Sequence, residues 1–360
     1  MTRQRAIALL GKRDTPTDAV EEYCRYLGDA LQAHNFQLEI RRVPWDRRGW
    51  ASSLEALRLM AAAWRDQWVF VQYTALAWSL RGFPGKFLHV LYALIKAGAR
   101  VAIVFHDVEP FGGSRFADRI RRFIQVRTMR SAVRLADAAI FTVPLEKISW
   151  LRNATENAYF IPVGPNLPIT EPPASARSAD EIPTIAVFSI TGGEAGVAET
   201  RFIIAAVRNV AQEIGKLRLS VFGRNADSAE TTLRSSLQDL PVEISVEGLL
   251  GEVELVERLS ASDVLLFVRG AISSRRSSAI AGIACGLPVI AFAGEETAAP
   301  ITDAGVVLVS QGNQGELNAA LLRVLSDAAY RTELGAKSRA AFTKHFSWPS
   351  VAALYASFLK

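Results

Sequence analysis

The sequence holds no uninterrupted apolar run of about 18 residues, so no bilayer-spanning helix is expected. It has two cysteines in 360 residues, Cys24 and Cys285. Both stand in apolar helical patterns, which excludes a disulfide scaffold and predicts two buried thiols. That usage suits a reducing, cytoplasmic compartment. The four histidines are scattered singly, without metal-ligand spacing. No G-x-G-x-x-G follows a strand-like run, which disfavours a nicotinamide dehydrogenase. No nucleic-acid-binding module is recognisable, so nucleic acid is not an expected partner. No secretory leader is read either: Met1 to Arg5 run into the short apolar stretch Ala6–Leu10, then Gly11, Lys12 and Arg13.

What is present is alternation. Ala6–Leu10, Trp68–Gln72, Arg100–Phe105 and Ala138–Thr142 read as strands of a first half. Thr184–Ser189, Arg218–Phe222, Glu243–Val246, Val264–Val268 and Pro288–Phe292 read as strands of a second. Helical patterns lie between them, which predicts parallel βαβ units. The first helix has Asp18 at its cap, Glu21 at the reciprocal capping-box position, and Val20, Cys24, Leu27 and Leu31 as its stripe. Residues 166–183 are rich in Pro, Ser and charge and lack periodicity, as a linker should. The expected architecture is α/β: two Rossmann-like domains facing each other across a cleft, with boundaries at 1–165 and 184–345 and a closing helix over 346–360.

Charge is uneven. Residues 1–165 carry 24 Lys+Arg against 15 Asp+Glu, and residues 166–360 carry 17 against 21. A basic first half points to a polyanionic partner such as an anionic membrane face or a phosphorylated acceptor. The most basic stretch is 114–135. Arg115, Arg119 and Arg122 recur on one stripe of it, and Phe116, Ile120, Phe123 and Ile124 form an apolar face. Such a helix can lie on an anionic membrane, or pack its apolar face into the domain and leave its arginines in water.

The segment Val264–Phe292 reads as a strand, a Ser/Arg loop, a helix starting at Ser277, a Gly stop and a second strand. The loop holds Arg269, Arg275 and Arg276. Guanidinium groups beside a helix N-terminus suit phosphate oxygens. At the carboxyl end of a parallel strand they mark a phosphate or diphosphate site. Arg224, after the strand ending at Phe222, is a further cation of this kind. Gly192-Gly193 permits close backbone approach to a ligand.

In order along the chain, several segments resemble a GT-B glycosyltransferase close to glycosyltransferase family 4. They are LGKRDTPTDAVEEYCRYLGDAL, VFVQYTALAW, VAIVFHDVEP, ADAAIFTVP, IPVGPNLP, VEGLLGEVELVERLSASDVLLFV, AIAGIACGLPVIAF and FSWPSVAALYASFL. The resemblance implies sugar transfer from a nucleotide-sugar donor, UDP- or GDP-linked, to a glycan or lipid-linked acceptor. It implies a retaining outcome, and a final helix that crosses back to the first domain. No cofactor or metal is expected, and no DxD-like pair stands at a strand end.

Carried onto this sequence, the resemblance implies catalytic roles for His106 and Asp107, joined by Asp14. Gly11, Lys12 and Arg13 fall on the acceptor side. Arg224, Gly248, Arg269, Arg275, Arg276 and Ser277 fall on the donor side, with backbone around Gly248 near the base. The family's usual glutamate pair is missing: Ser273 and Ala281 stand in its places. Glu295 and Glu296, after Gly294, are the carboxylates available to replace it. That loss also motivates a non-catalytic GT-B protein binding a glycan or partner, or a GT-B nucleotide-sugar epimerase. The expected location is cytoplasmic, with possible docking at the inner face of the cytoplasmic membrane.

Overall fold

A computed structural model describes residues 4–151, 156–171 and 182–359. The chain divides into two compact units, residues 1–163 with 351–360, and residues 164–350. In unit 1 the strands are β1 (Gln4–Leu10), β2 (Phe36–Arg42), β3 (Trp68–Tyr73), β4 (Arg100–Phe105), β5 (Ala138–Phe141) and β6 (Ala158–Phe160). Its helices are α1 (Ala19–Leu31), α2 (Trp45–Arg48), α3 (Trp50–Ala61), α4 (Phe87–Lys96) and α5 (Phe116–Leu135). Unit 2 holds β7 (Thr184–Phe188), β8 (Leu217–Phe222), β9 (Val242–Glu247), β10 (Val264–Ala271), β11 (Val289–Phe292) and β12 (Val306–Val309). Its helices are α6 (Gly193–Ile214), α7 (Ala226–Leu237), α8 (Glu252–Ser260), α9 (Ser277–Ala284), α10 (Gln314–Ser326) and α11 (Ala328–Ala341). The last helix, α12 (Trp348–Leu359), starts in unit 2 and ends in unit 1.

The sheets run β2-β1-β3-β4-β5-β6 and β12-β11-β10-β7-β8-β9. Every pairing in both is parallel. The chain works outward from β1 to β2, then returns to β3; likewise from β7 to β8 and β9, then back to β10. The gaps β1/β3 and β7/β10 are therefore the topological switch points, where open α/β sheets bind ligands. The expected α/β architecture is present.

The central strands are mostly apolar because helices cover both faces. Val69, Val71, Ile103, Phe105 and Phe141 anchor one core, and Ile185, Leu219, Val264, Leu266 and Ile290 the other. Both cysteines are free and buried, as expected, and burial pushes the Cys285 thiol up to about 12.

Three strands escape the sequence pattern. β2 is an edge strand whose partner is β1 alone, so Gln37 and Arg41 face solvent and break the apolar run. β6 and β12 are short edge strands. β10 continues past Val268 to Ala271, so Arg269 lies on the strand and not in the loop. β7 ends at Phe188 because Ser189 is left-handed, with φ of 66°.

Asp18 caps α1, accepting from the Val20 and Glu21 amides. The expected reciprocal bond from Glu21 is replaced: its carboxylate takes Arg42 at 2.9 Å. On α5 the face buried in the domain carries Gln125, Thr128, Met129, Ala132 and Val133. Phe116, Ile120 and Phe123 stay exposed, so the packing alternative for that apolar face is not realised. Of the expected linker, residues 172–181 lie outside the described residues. Among the described residues no helix is long and apolar enough to cross a membrane.

The closing helix does return to unit 1. Tyr355 packs edge-on against Phe70 with ring centroids 5.5 Å apart, and Phe358 contacts Trp68, Phe70 and Tyr159. The Tyr355 and Tyr23 hydroxyls share a buried 2.8 Å hydrogen bond, and burial pushes both phenols well up. Tyr355→Ala empties this socket. It is expected to cost about 3–5 kcal/mol, read as an earlier urea transition in tryptophan fluorescence.

Candidate functional site

The first constellation lies at the β1/β3 switch point. Leu10 ends β1, and Gly11 turns the chain across the loop that leaves β3. A Cβ on Gly11 would sit 2.3 Å from the Ala77 carbonyl oxygen, so only glycine allows this approach. That carbonyl accepts from the Lys12 amide at 2.8 Å and from the Trp45 indole at 2.8 Å. Arg42 fastens the turn from below, donating to the Gly11 carbonyl and to both Asp18 and Glu21 at 2.9 Å. The β3 loop is tied down by its own bonds. Trp78 Nε1 donates to the Gln72 carbonyl at 2.9 Å, and the Ala75 amide donates to Asp107 Oδ2 at 3.0 Å.

These turns enclose a cavity of about 360 Å³ lined by Gly11, Lys12, Arg13, Asp14, Thr74 and Asp107. The structure thus gathers all four acceptor-side and acidic residues of the first loop with Asp107. Arg13 also leans on Glu21 at 3.5 Å. His106 behaves differently. Its Nε2 lies 2.9 Å from Gln72 Oε1, and Gln72 Nε2 donates to the Phe70 carbonyl at 3.3 Å. The first contact ties the His106 ring to the amide side chain of β3. Its ring stands against Tyr23, 5.1 Å between centroids. Asp107, not His106, lines the cavity. Sequence reading missed Gln72. Its signal is a lone amide inside the apolar strand Trp68–Tyr73.

The second constellation lies at the β7/β10 switch point. β7 exits through Ser189 and Gly192 into α6, whose first residue, Gly193, has φ of 69°; no side chain caps this helix. Ser189 Oγ accepts from the Arg224 amide at 3.2 Å, and Asn225 Nδ2 donates to the Ile190 carbonyl at 2.9 Å. These bonds hold the β8–α7 turn against the β7–α6 turn. The Gly248 carbonyl accepts from the Gly223 amide at 2.8 Å, which adds the β9 turn to the group.

Arg269 projects from the end of β10. Burial lowers its affinity for a proton; the Glu199 carboxylate opposes this, and the Arg224 cation adds to it. Its Nε is buried and meets no acceptor among the described residues. Glu199, another residue missed from sequence, is a buried acid on the apolar stripe of α6; it accepts from the Thr191 amide at 2.8 Å. Arg276 precedes the first residue of α9, Ser277, where the helix start was expected.

Arg275 and Glu296 meet each other. The guanidinium grips the carboxylate through Nε at 2.6 Å and a terminal nitrogen at 3.0 Å. Ser273 Oγ, fully buried, donates to the same carboxylate at 3.1 Å. Glu295 beside it is exposed. The two arginines therefore divide: Arg275 of the loop is neutralised locally, whereas Arg269 on the strand keeps an Nε with no hydrogen-bond partner among the described residues. Among the described residues no cluster of three metal-ligating side chains occurs.

Residues 189–327 match the family model described as Glycosyl transferases group 1. No curated protein matches the sequence significantly. Solved structures do match in fold. HepE of Anabaena, solved with UDP and glucose, superposes with a TM-score of 0.67 at 15% identity over 99% of each chain. Sucrose-phosphate synthase from Thermosynechococcus elongatus gives 0.70 at 20% identity, over 99% of this chain and 98% of its own. A glycosyltransferase from Rickettsia africae gives 0.69 at 11% identity, over 100% and 98%. The chain therefore has the fold of the GT-B glycosyltransferases. The stretch that matches the group 1 model falls within its second unit.

Gly11→Ala drives a methyl group into the Ala77 carbonyl. The expected loss is about 1–3 kcal/mol, seen as a lower melting temperature. Gly85→Ala, where a Cβ meets nothing within 4 Å, should melt like the parent protein. Equal melting of the two variants would refute the close-approach argument.

Proposed function

We propose that the protein is a nucleotide-sugar-dependent hexosyltransferase, metal-independent and retaining. It acts on a glycan or lipid-linked acceptor in polysaccharide or glycolipid synthesis, at the cytoplasmic face of the membrane. Donor binds unit 2 and acceptor binds the unit 1 cavity. The observation that carries the donor assignment is Arg269: a buried guanidinium nitrogen without an acceptor among the described residues, at a switch point, beside a helix start that no side chain caps. Such a group is costly unless a ligand supplies the missing oxygen. A diphosphate does so, and UDP in the solved HepE complex supports trying UDP-sugars first, with GDP-sugars next.

Transfer breaks the bond between the anomeric carbon and the diphosphate oxygen and forms one to an acceptor oxygen. The leaving diphosphate gains negative charge. In this reading Arg269, Arg224, Arg276 and the amides opening α6 and α9, the latter at Ser277, meet that charge. Asp107 holds the acceptor hydroxyl and takes its proton, with Asp14 on the same wall. His106, fixed through Gln72, orients the Asp107 segment. Glu296 supplies the carboxylate missing at Ser273, with Arg275 as its clamp; Gly248 backbone borders the base.

The test is thermal stability against UDP-, GDP-, ADP- and TDP-sugars, each with and without chelator. A ligand at about 100 times its Kd adds roughly 2.7 kcal/mol, enough for a clear upward shift. Arg269→Ala should weaken binding of the responding nucleotide about 10- to 100-fold, the range for a hydrogen bond to a charged group. Asp107→Asn should keep donor affinity and lose transfer. A folded protein that answers none of the four nucleotides sinks the donor reading. The missing glutamates favour a second reading, a binder without turnover; donor binding without transfer or hydrolysis would select it. Conversion of the nucleotide sugar with no acceptor present would select the epimerase.

A further inference from the structure

The first half of α5 inverts the usual amphipathic rule. A surface helix buries its apolar stripe and exposes polar residues. Here Gln125 is the buried residue. Its Oε1 accepts from the Phe111 amide at 2.7 Å, and its Nε2 donates to the Gly82 carbonyl at 2.8 Å. On the outer face Phe116 is 76% exposed and Phe123 65%. Residues 116, 120, 123 and 127 follow i, i+4, i+7, i+11 spacing, so Phe116, Ile120, Phe123 and Arg127 form one outward stripe.

This stripe continues onto neighbouring loops. Arg121 Nε donates to the Arg81 carbonyl at 3.0 Å, and its guanidinium lies 4.6 Å from the Phe111 ring centroid. It thereby staples the loops holding Leu80 and Phe111 to α5. Leu76, Leu80 and Phe111 are exposed as well. Together they border a second cavity of about 370 Å³, which shares Leu76, Leu80 and Asp107 with the acceptor-side cavity. An exposed apolar surface of this extent marks an interaction site.

The charge around it selects the partner. Between residues 115 and 127 stand Arg115, Arg119, Arg121, Arg122 and Arg127 against one acid, Asp118. Asp118 is already paired with Arg121 at 3.0 Å. Arg115, Arg119, Arg122 and Arg127 are exposed, as is Arg81. Aromatic and branched side chains amid unopposed arginines fit the interface of an anionic bilayer, where rings enter the acyl boundary and guanidinium groups meet phosphates.

We propose that unit 1 docks on an anionic lipid bilayer through the outer face of α5 and the loop tips Leu76, Leu80 and Phe111. The acceptor-side cavity then opens toward the membrane plane. An acceptor carrying a lipid tail reaches Asp107 along the leucine-lined path. The docking stands on its own; the acceptor route rests on the transferase reading.

The test is sedimentation of the full chain with phosphatidylglycerol or phosphatidylcholine vesicles over a salt series. Pelleting should require the anionic lipid and fall as salt rises. Arg119→Gln with Arg122→Gln should weaken it at least about tenfold. Phe116→Ser with Phe123→Ser should abolish it, with melting unchanged because both positions are exposed. Both native thiols are buried, so a dye can be placed selectively at Leu80→Cys, Phe123→Cys or, on unit 2, Leu308→Cys. The first two should shift to the blue on anionic vesicles and the third should not.

Equal pelleting on the two lipids, or wild-type binding by the Phe variants, would overturn the docking. A shift at position 123 without one at 80 would overturn the acceptor route. The nucleotide melting shift is read in the absence of lipid. A failure of docking and a failure of the transferase reading are thus separate results.

Discussion

Parallel strand pairing is the constraint from which both sites follow. When all strands of a sheet point one way, every strand-to-helix turn falls on the same edge. The amides opening the following helices converge there. Hydrogen-bonded pairs inside the sheet consume backbone groups; the edge is where they remain to be satisfied. At the switch points the two chains leaving adjacent strands diverge, so no crossover fills the gap. The β1/β3 gap holds the Gly11–Ala77 approach, and the β7/β10 gap holds Arg269 and the start of α6. Neither position is a choice of side chain; both are consequences of strand order.

The two units use this edge in opposite ways. In unit 1 the turn is satisfied internally. The Ala77 carbonyl has two donors and Asp18 serves both its own helix and Arg42. The result is a walled cavity with carboxylates and cations on its lining. In unit 2 part of the polar capacity is left over. Arg269 keeps a nitrogen unmet among the described residues while Arg275 is clamped by Glu296. Unmet capacity in a folded protein costs stability, and it persists where a ligand removes that cost. Two arginines of one short segment thus differ: one is met within the fold and the other keeps a buried Nε unmet among the described residues.

That contrast marks the limit of what sequence alone carries. Central strands were readable because two-sided burial writes an apolar run, as in Val101–Phe105. Of the edge strands only β9 was: β2 alternates with charge, and β6 and β12 are only three and four residues long. The Asp18 cap is a local signal and was readable. The partner of Glu21 is not local: Arg42 lies 21 residues away, as Glu296 does from Arg275. Long-range pairs of this kind depend on which strand ends become neighbours. Gln72 and Glu199 left a fainter trace, a polar residue where an apolar one was due. Such interruptions are the sequence mark of a buried hydrogen-bonding role.

The α5 helix shows why pattern fixes periodicity before it fixes direction. Its apolar residues recur at helical spacing, and the ordinary expectation turns such a stripe inward. What overrides it is the anchoring of Gln125, which spans two loops and can satisfy both its donor and its acceptor only from the inner face. Rotating the helix to bury Phe116 and Phe123 would strand that amide and the loop backbone it serves, a cost of about 1–3 kcal/mol for each unsatisfied group. The polar side therefore faces the domain, and the aromatic side is left for whatever lies outside. An apolar stripe among arginines is stable in water only as a compromise. The same stripe on an anionic bilayer would satisfy both its rings and its charges, so the anchoring of Gln125 that sets the helix orientation is also what leaves the aromatic side available for the proposed docking.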